Sequence, residues 1–153
     1  MEKPIISLTI CSYNQERYIE ECVRSALMQT YSPLEIVISD DCSPDSTFSV
    51  IKKTVECYNG PHKVIINRNP TNLGISANLS KAVSLSSGLI LVDCAGDDSF
   101  EENKVEAIYN AWIESGSTAM AFFSNATLID ERSQGHGLLF DREPHYCKTM
   151  EDF

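Results

Sequence analysis

Two phosphate-binding signatures are missing from this chain. No G-x-G-x-x-G follows its first apolar run, which weakens a dinucleotide-cofactor reading, and no G-x-x-x-x-G-K-[ST] occurs, which excludes a P-loop. Basic residues are also scarce: 12 Lys and Arg against 22 Asp and Glu leave a formal charge of −10. Such an acidic surface disfavours phosphate-backbone binding, so no nucleic acid is expected as a partner. A small phosphorylated ligand is still compatible, provided a metal ion screens the carboxylates. No apolar run approaches the ~20 residues of a membrane helix, and Met1-Glu2-Lys3-Pro4 lacks a signal-peptide layout. The expectation is a cytoplasmic protein with no transmembrane segment. The six cysteines (11, 22, 42, 57, 94 and 147) form no C-x-x-C pair, and the three histidines have no ligand spacing relative to them. That disfavours a zinc site and favours reduced cysteines used as small hydrophobes.

What is present is ordinary for one folded domain with a sizeable core: 153 residues, 42% hydrophobic and 22% charged. Short β-branched or apolar runs alternate with helical periodicity. Ile5 to Ile10, Leu34 to Ser39, Val64 to Ile66 and Leu89 to Val92 read as strands, with a further strand over Ala119 to Ser124. Ile19, Cys22, Val23, Ala26 and Leu27 mark the buried stripe of one helix, and Phe48, Ile51 and Val55 that of a second. A third helix runs through Ala77, Leu79, Ala82 and Val83 and is stopped by Gly88; a fourth runs from Asn103 to Glu114 and is stopped by Gly116. Ser43-Pro44-Asp45 reads as a cap with proline in the first turn. After Asp130 the pattern decays.

Alternating strands and helices predict an α/β fold with a mostly parallel sheet and right-handed crossovers. In such sheets ligands bind beyond the carboxyl ends of the strands. A strand order of 3-2-1-4 brings three polar segments to one crevice: Cys11-Ser12-Tyr13-Asn14, Asp40-Asp41 and Gly96-Asp97-Asp98. Carboxylates massed at neighbouring strand ends repel one another unless a cation sits among them, and a divalent metal carrying an anionic ligand is the economical explanation. An aromatic ring (Tyr13) beside a carboxylate (Asp40) suits a nucleobase, and uracil offers the N3–H that Asp40 accepts. Asp97 and Asp98 are then placed for a ribose hydroxyl and a metal-bound diphosphate.

Each feature has a plainer explanation when taken alone. Tyr13 is a packed or rim aromatic, Asp40-Asp41 a loop satisfied by backbone N–H groups, and Asp97-Asp98 a cap for the following helix. Their convergence on one edge favours the ligand site. A receiver-type signalling domain would carry its acidic pair after the first strand, where Ser12-Tyr13-Asn14 stands. A nucleotidyltransferase would carry a glycine- and base-rich loop there.

The order Ser12-Tyr13-Asn14, Tyr18-Ile19, Ser25, Gln29-Thr30-Tyr31 and Glu35 through Thr47 resembles the family 2 glycosyltransferases of GT-A fold, a Rossmann-like α/β architecture. Asn72-Leu73-Gly74-Ile75 and Ala95-Gly96-Asp97-Asp98 continue the match, which covers about residues 4 to 112. The resemblance implies a nucleotide-diphospho-sugar donor (UDP-linked on the reading above), Mn²⁺ or Mg²⁺, and inverting transfer of the sugar to an acceptor hydroxyl. The acceptor is an unidentified sugar or lipid-linked group, and the setting is cell-surface polysaccharide synthesis at the inner face of the membrane. By position, Cys11 and Tyr13 line the base pocket and Asp40 binds the base. Asp97 and Asp98 form the acidic end of a D-x-D-type motif, one contacting the ribose and the other the metal in an order left open; Asp97 is named for the nucleotide-sugar and both Asp97 and Asp98 for the metal. Ala95 stands where the motif's first acid is usual, and Leu79-Ser80 where an Arg-Asn pair is common; Lys81 and Arg68 are candidate replacements for that arginine. The expected organisation is a donor-binding domain over 1–130, with 131–153 opening an acceptor-side region that is cut short. No catalytic base is assigned. Glu151-Asp152 is similar to the family's Glu-Asp base motif but is preceded by too little chain, and Asp141 and Asp152 become candidates only if the chain alone turns over.

Overall fold

The computed structural model describes residues 2–139. Asp141, Cys147, Glu151 and Asp152, named above, lie outside the described residues. Two compact units are present, Met1–Ala107 and Ile108–Phe153.

In the first unit the order is β1 (Ile6–Ser12), α1 (Ile19–Leu27), β2 (Leu34–Asp40), α2 (Thr47–Glu56), β3 (Lys63–Arg68), α3 (Ile75–Leu85) and β4 (Ile90–Ala95). The strands form one parallel sheet in the order β3-β2-β1-β4, as expected. The register sets Ser12 beside Asp40 and Asp40 beside Arg68, and sets Cys11 between Ser39 and Ala95. Alternation along the strands therefore sorts the site residues by face. Asp40 and Arg68 share the α2 side, where the Arg68 guanidinium lies 5.2 Å from the Phe48 ring centroid. Ser39 faces α3, donating to Asn78 Oδ1 at 2.7 Å. Cys11, on the same row as Ser39, takes the α3 side.

The dry core lies between the sheet and α1 with α2. Ile6, Leu8, Ile10, Ile36, Ile38, Ile19, Val23 and Ile51 are all buried to within 1%, each such side chain contributing ~1.5–3 kcal/mol of transfer free energy. The expected α1 stripe is present, whereas in α2 Thr47, Ile51 and Thr54 face inward and Phe48 and Val55 are half-buried. The α3 side is polar. Glu35, 1% exposed, accepts from Ser7 Oγ at 2.9 Å, Ser87 N–H at 2.7 Å and Lys63 Nζ at 2.7 Å.

Three local expectations are corrected. Helix α2 begins at Thr47, and the carboxylate closing its start is Asp45, which accepts the Thr47 N–H at 3.0 Å; Ser43 instead serves the β2 corner. Gly88 does not stop α3, which ends three residues earlier; its N–H bonds Ser7 Oγ at 2.8 Å, and a β-carbon there would lie 2.4 Å from the Ser7 nitrogen. Ala119 to Ser124 is not a strand. A strand needs a ladder, and the Asp130 turn (Asp130 N–H to Gln134 O, 3.1 Å) pairs β5 (Thr127–Ile129) with β6 (Gly135–Leu138) instead. That hairpin belongs to the second unit, and only its β6 falls where the apolar pattern has decayed. Helix α4 (Lys104–Glu114) ends two residues before Gly116, whose φ of +72° suits the expected stop. Among the described residues no helix is long and apolar enough to cross a membrane.

Candidate nucleotide-sugar site

The segments leaving the strands are tied to one another by backbone hydrogen bonds. Gly96 N–H reaches Cys11 O at 2.9 Å, Asp41 N–H reaches Ser12 O at 2.9 Å and Asn69 N–H reaches Asp40 O at 2.8 Å. Parallel topology thus brings the three expected segments to one sheet end. The chain turns sharply after β1 and β2, where Asn14 and Cys42 have φ of 57° and 60°; asparagine tolerates that region better than most side chains.

The first two loops are laced together. Asn14 N–H bonds Ser43 Oγ at 3.0 Å, Gln15 N–H bonds Thr47 Oγ1 at 2.8 Å and Glu16 N–H bonds Asp45 Oδ2 at 3.1 Å; Ser46 N–H returns to Glu16 Oε2 at 2.8 Å. Asp45 is held below the usual carboxylate range: burial opposes its charge, but bonds from Thr47 and from backbone N–H groups outweigh it.

Tyr13 sits beyond β1 with about half its surface exposed, open to a stacking partner. The Cys11 thiol is pushed up to about 11, first by burial and then by Asp93 and Asp41, so it stays protonated at neutral pH. Asp40 is completely buried. Its Oδ2 accepts the Ser43 N–H at 3.0 Å and lies 3.4 Å from Arg68 Nε, while Ser43 Oγ donates to Oδ1. Arg68 also donates to Ser43 O at 2.9 Å, so it braces this corner.

Asp41, the neighbour of Asp40, is held by bonds from Asn69, just after β3, and from the loop before α3. It is the aspartate of this corner whose charge acts on Cys11. Its Oδ1 accepts from Asn69 Nδ2 at 2.8 Å and Leu73 N–H at 2.9 Å, and its Oδ2 from Gly74 N–H at 2.8 Å. These bonds hold it low against the opposing effect of burial. Asn69 and Asn78 complete the network, with Asn69 Nδ2 also 3.0 Å from Asn78 Oδ1. Separating Asp40 from Asp41 requires the strand register, which sequence spacing does not supply.

Asp97 and Asp98 are exposed at the end of β4. Asp98 is raised by the partial loss of water around its carboxyl and then by the adjacent Asp97 charge, with Lys104 partly offsetting both. No group of three His, Cys, Asp or Glu converges among the described residues. Two repelling carboxylates fit Mg²⁺ or Mn²⁺, hard cations commonly bound through one or two carboxylates with substrate phosphate and water completing the sphere.

The family model for glycosyl transferase family 2 matches residues 7–151. The chain belongs to glycosyl transferase family 2. A chondroitin synthase of Pasteurella multocida is 34% identical over 130 residues, which are 85% of this chain and 13% of that protein. An uncharacterized glycosyltransferase of Haemophilus influenzae is 30% identical over 132 residues, 86% of this chain and 40% of that protein. The chain therefore spans less than half the length of these relatives. Among solved structures, S. aureus TarS in complex with UDP has a TM-score of 0.64 at 23% identity, covering 72% of this chain and 32% of that one. A Pyrobaculum calidifontis mannosyltransferase in complex with GDP-Man and Mn²⁺ has the same TM-score, identity and coverage. These likenesses show the GT-A fold.

Proposed function

We propose that this domain binds a nucleotide-diphospho-sugar, UDP-linked, and presents the sugar for inverting transfer to an acceptor hydroxyl in cell-surface polysaccharide synthesis. One observation carries the reading: the aromatic, the Asp40-Asp41 corner and the Asp97-Asp98 pair meet at one sheet end, tied by the Cys11–Gly96 and Ser12–Asp41 bonds. Relatives that make chondroitin, and fold neighbours holding UDP or GDP-Man with Mn²⁺, support it.

Tyr13 stacks on the base and the protonated Cys11 lines its pocket. Asp40 or Asp41 accepts the base N–H. The shared α3-side placement of Cys11 and Asp41 favours Asp41, although each carboxylate must share or release an internal partner to do so. Asp97 binds the ribose and, with Asp98, holds Mn²⁺ or Mg²⁺. When bound, that cation supplies Lewis-acid neutralisation of the leaving diphosphate. The acceptor's proton needs a general base, a role assigned to none of the described residues.

Calorimetric titration of UDP, GDP and CDP, with and without Mn²⁺, tests this. UDP is expected to bind tightest, and chelator to weaken UDP far more than uridine. Asp98→Asn should reproduce the chelator effect. Of the corner residues, Asp41→Asn should lower uridine affinity more than Asp40→Asn. Equal affinity for all three diphosphates removes the uracil assignment, and indifference to chelator removes the metal.

A further inference from the structure

Gly96 sits between the Tyr13 loop and the acidic pair, and a side chain there would have to displace the ends of two neighbouring side chains. A β-carbon there would lie 2.6 Å from Gln15 Oε1, 2.8 Å from Ile19 Cδ1 and 3.0 Å from Ser12 Cβ. Its N–H is held by Cys11 O at 2.9 Å, so the segment cannot back away without breaking the ladder between β1 and β4. Its φ is not in the left-handed region. The requirement for glycine is therefore one of space.

The residue filling that space has a well-fixed backbone, and its carboxamide makes one longer contact. Gln15 N–H is bonded to Thr47 Oγ1, and Gln15 O accepts the N–H groups of Tyr18 and Ile19 at 3.0 Å each. Its Oε1 accepts the Tyr13 N–H at 3.4 Å. The same oxygen thus touches the peptide of the base-stacking residue and abuts the Cα side of Gly96. We propose that Gln15 and Gly96 are a positioning pair: the carboxamide seats in the slot left by the missing side chain and sets the spacing between the Tyr13 platform and the Asp97-Asp98 carboxylates. The base and the diphosphate are parts of one ligand, so that spacing decides whether both ends engage together. The inference rests on the nucleotide-binding reading.

A pair acting only in packing would move stability and all ligands alike. A spacing pair acts on the ligand that spans both ends and spares the one that touches only the base. The test measures the affinity of UDP with Mn²⁺ and of uridine, with GDP and guanosine in parallel, for the wild-type chain, Gly96→Ala, Gln15→Ala and the double variant, with a thermal melt of each. Gly96→Ala should weaken the Mn²⁺–diphosphate complex about tenfold and leave the nucleoside within about twofold. Gln15→Ala in the Gly96→Ala background should recover at least about half of that loss on a logarithmic scale, because it deletes the nearest of the crowding atoms and leaves only Ile19 Cδ1 and Ser12 Cβ to yield. If Gly96→Ala alone does not fold, the double variant should regain a cooperative melt and the diphosphate affinity. Parallel losses for nucleoside and diphosphate overturn the proposal, as does a double variant no better than Gly96→Ala. A wild-type chain whose diphosphate binding ignores Mn²⁺ overturns the underlying reading and this inference with it. A wild-type Mn²⁺ dependence that survives Gly96→Ala intact overturns the inference alone.

Discussion

Glu35 lies at the amino end of β2, far along the strand from Asp40, and away from the proposed site. Burial alone would raise it, yet Lys63, the Ser87 N–H and hydroxyl and the Ser7 hydroxyl together lower it from 4.5 to about 2. A carboxyl lower in the folded than in the unfolded chain stabilises the fold above the unfolded value and loses that contribution as pH falls toward the folded one. The window here is about pH 4.5 down to about 2. A shift of one unit corresponds to ~1.4 kcal/mol, and Lys63 is solvated, so Glu35→Gln should cost about 1–3 kcal/mol at neutral pH. Urea unfolding of the variant should also show a flatter acid limb through that window, and an unchanged limb would remove Glu35 as its source.

At the scale of elements, the crossover from α3 to β4 depends on Gly88, which lies against the Ser7 backbone. A methyl group there meets main chain rather than a movable side chain, so Gly88→Ala should destabilise by ~1–3 kcal/mol, more than a solvent-facing substitution such as Ser84→Ala in α3. Paired thermal melts read the difference. Gly88 also shows how far sequence alone reached. The order of the first seven elements and the arrival of three polar segments at one edge were legible, because hydrophobic period and crossover handedness dictate them. The reason for this glycine was not, since a stop after a helix and a close approach to β1 look alike in one dimension. Nor was the β5–β6 hairpin: Gly135-His136-Gly137-Leu138 has no apolar alternation, and only the turn at Asp130 aligns it. The inward face of α2 carries Thr47, whose hydroxyl oxygen accepts the Gln15 N–H, and Thr54, whose hydroxyl is satisfied within the helix by Val50 O, and neither bond is written in the apolar spacing of Phe48, Ile51 and Val55.

For the molecule as a whole, every residue assigned to the donor lies in Met1–Ala107. A chain ended after Gly116, keeping α4 and its stop, should retain nucleotide affinity within about threefold of the 153-residue protein, since a compact unit with its own core carries its own site. Calorimetry on both chains decides it, and a loss beyond tenfold would assign part of the site to later residues. The lacing of the first two loops has a kinetic meaning. Asn14, Gln15 and Glu16 are already pinned to Ser43, Thr47 and Asp45 before any ligand arrives. If the proposed site is the nucleotide site, an arriving nucleotide would meet loops that need no ordering, would cost little rotational freedom on that side, and would be captured at a rate governed by encounter and by the release of the internal partners of the Asp40-Asp41 corner.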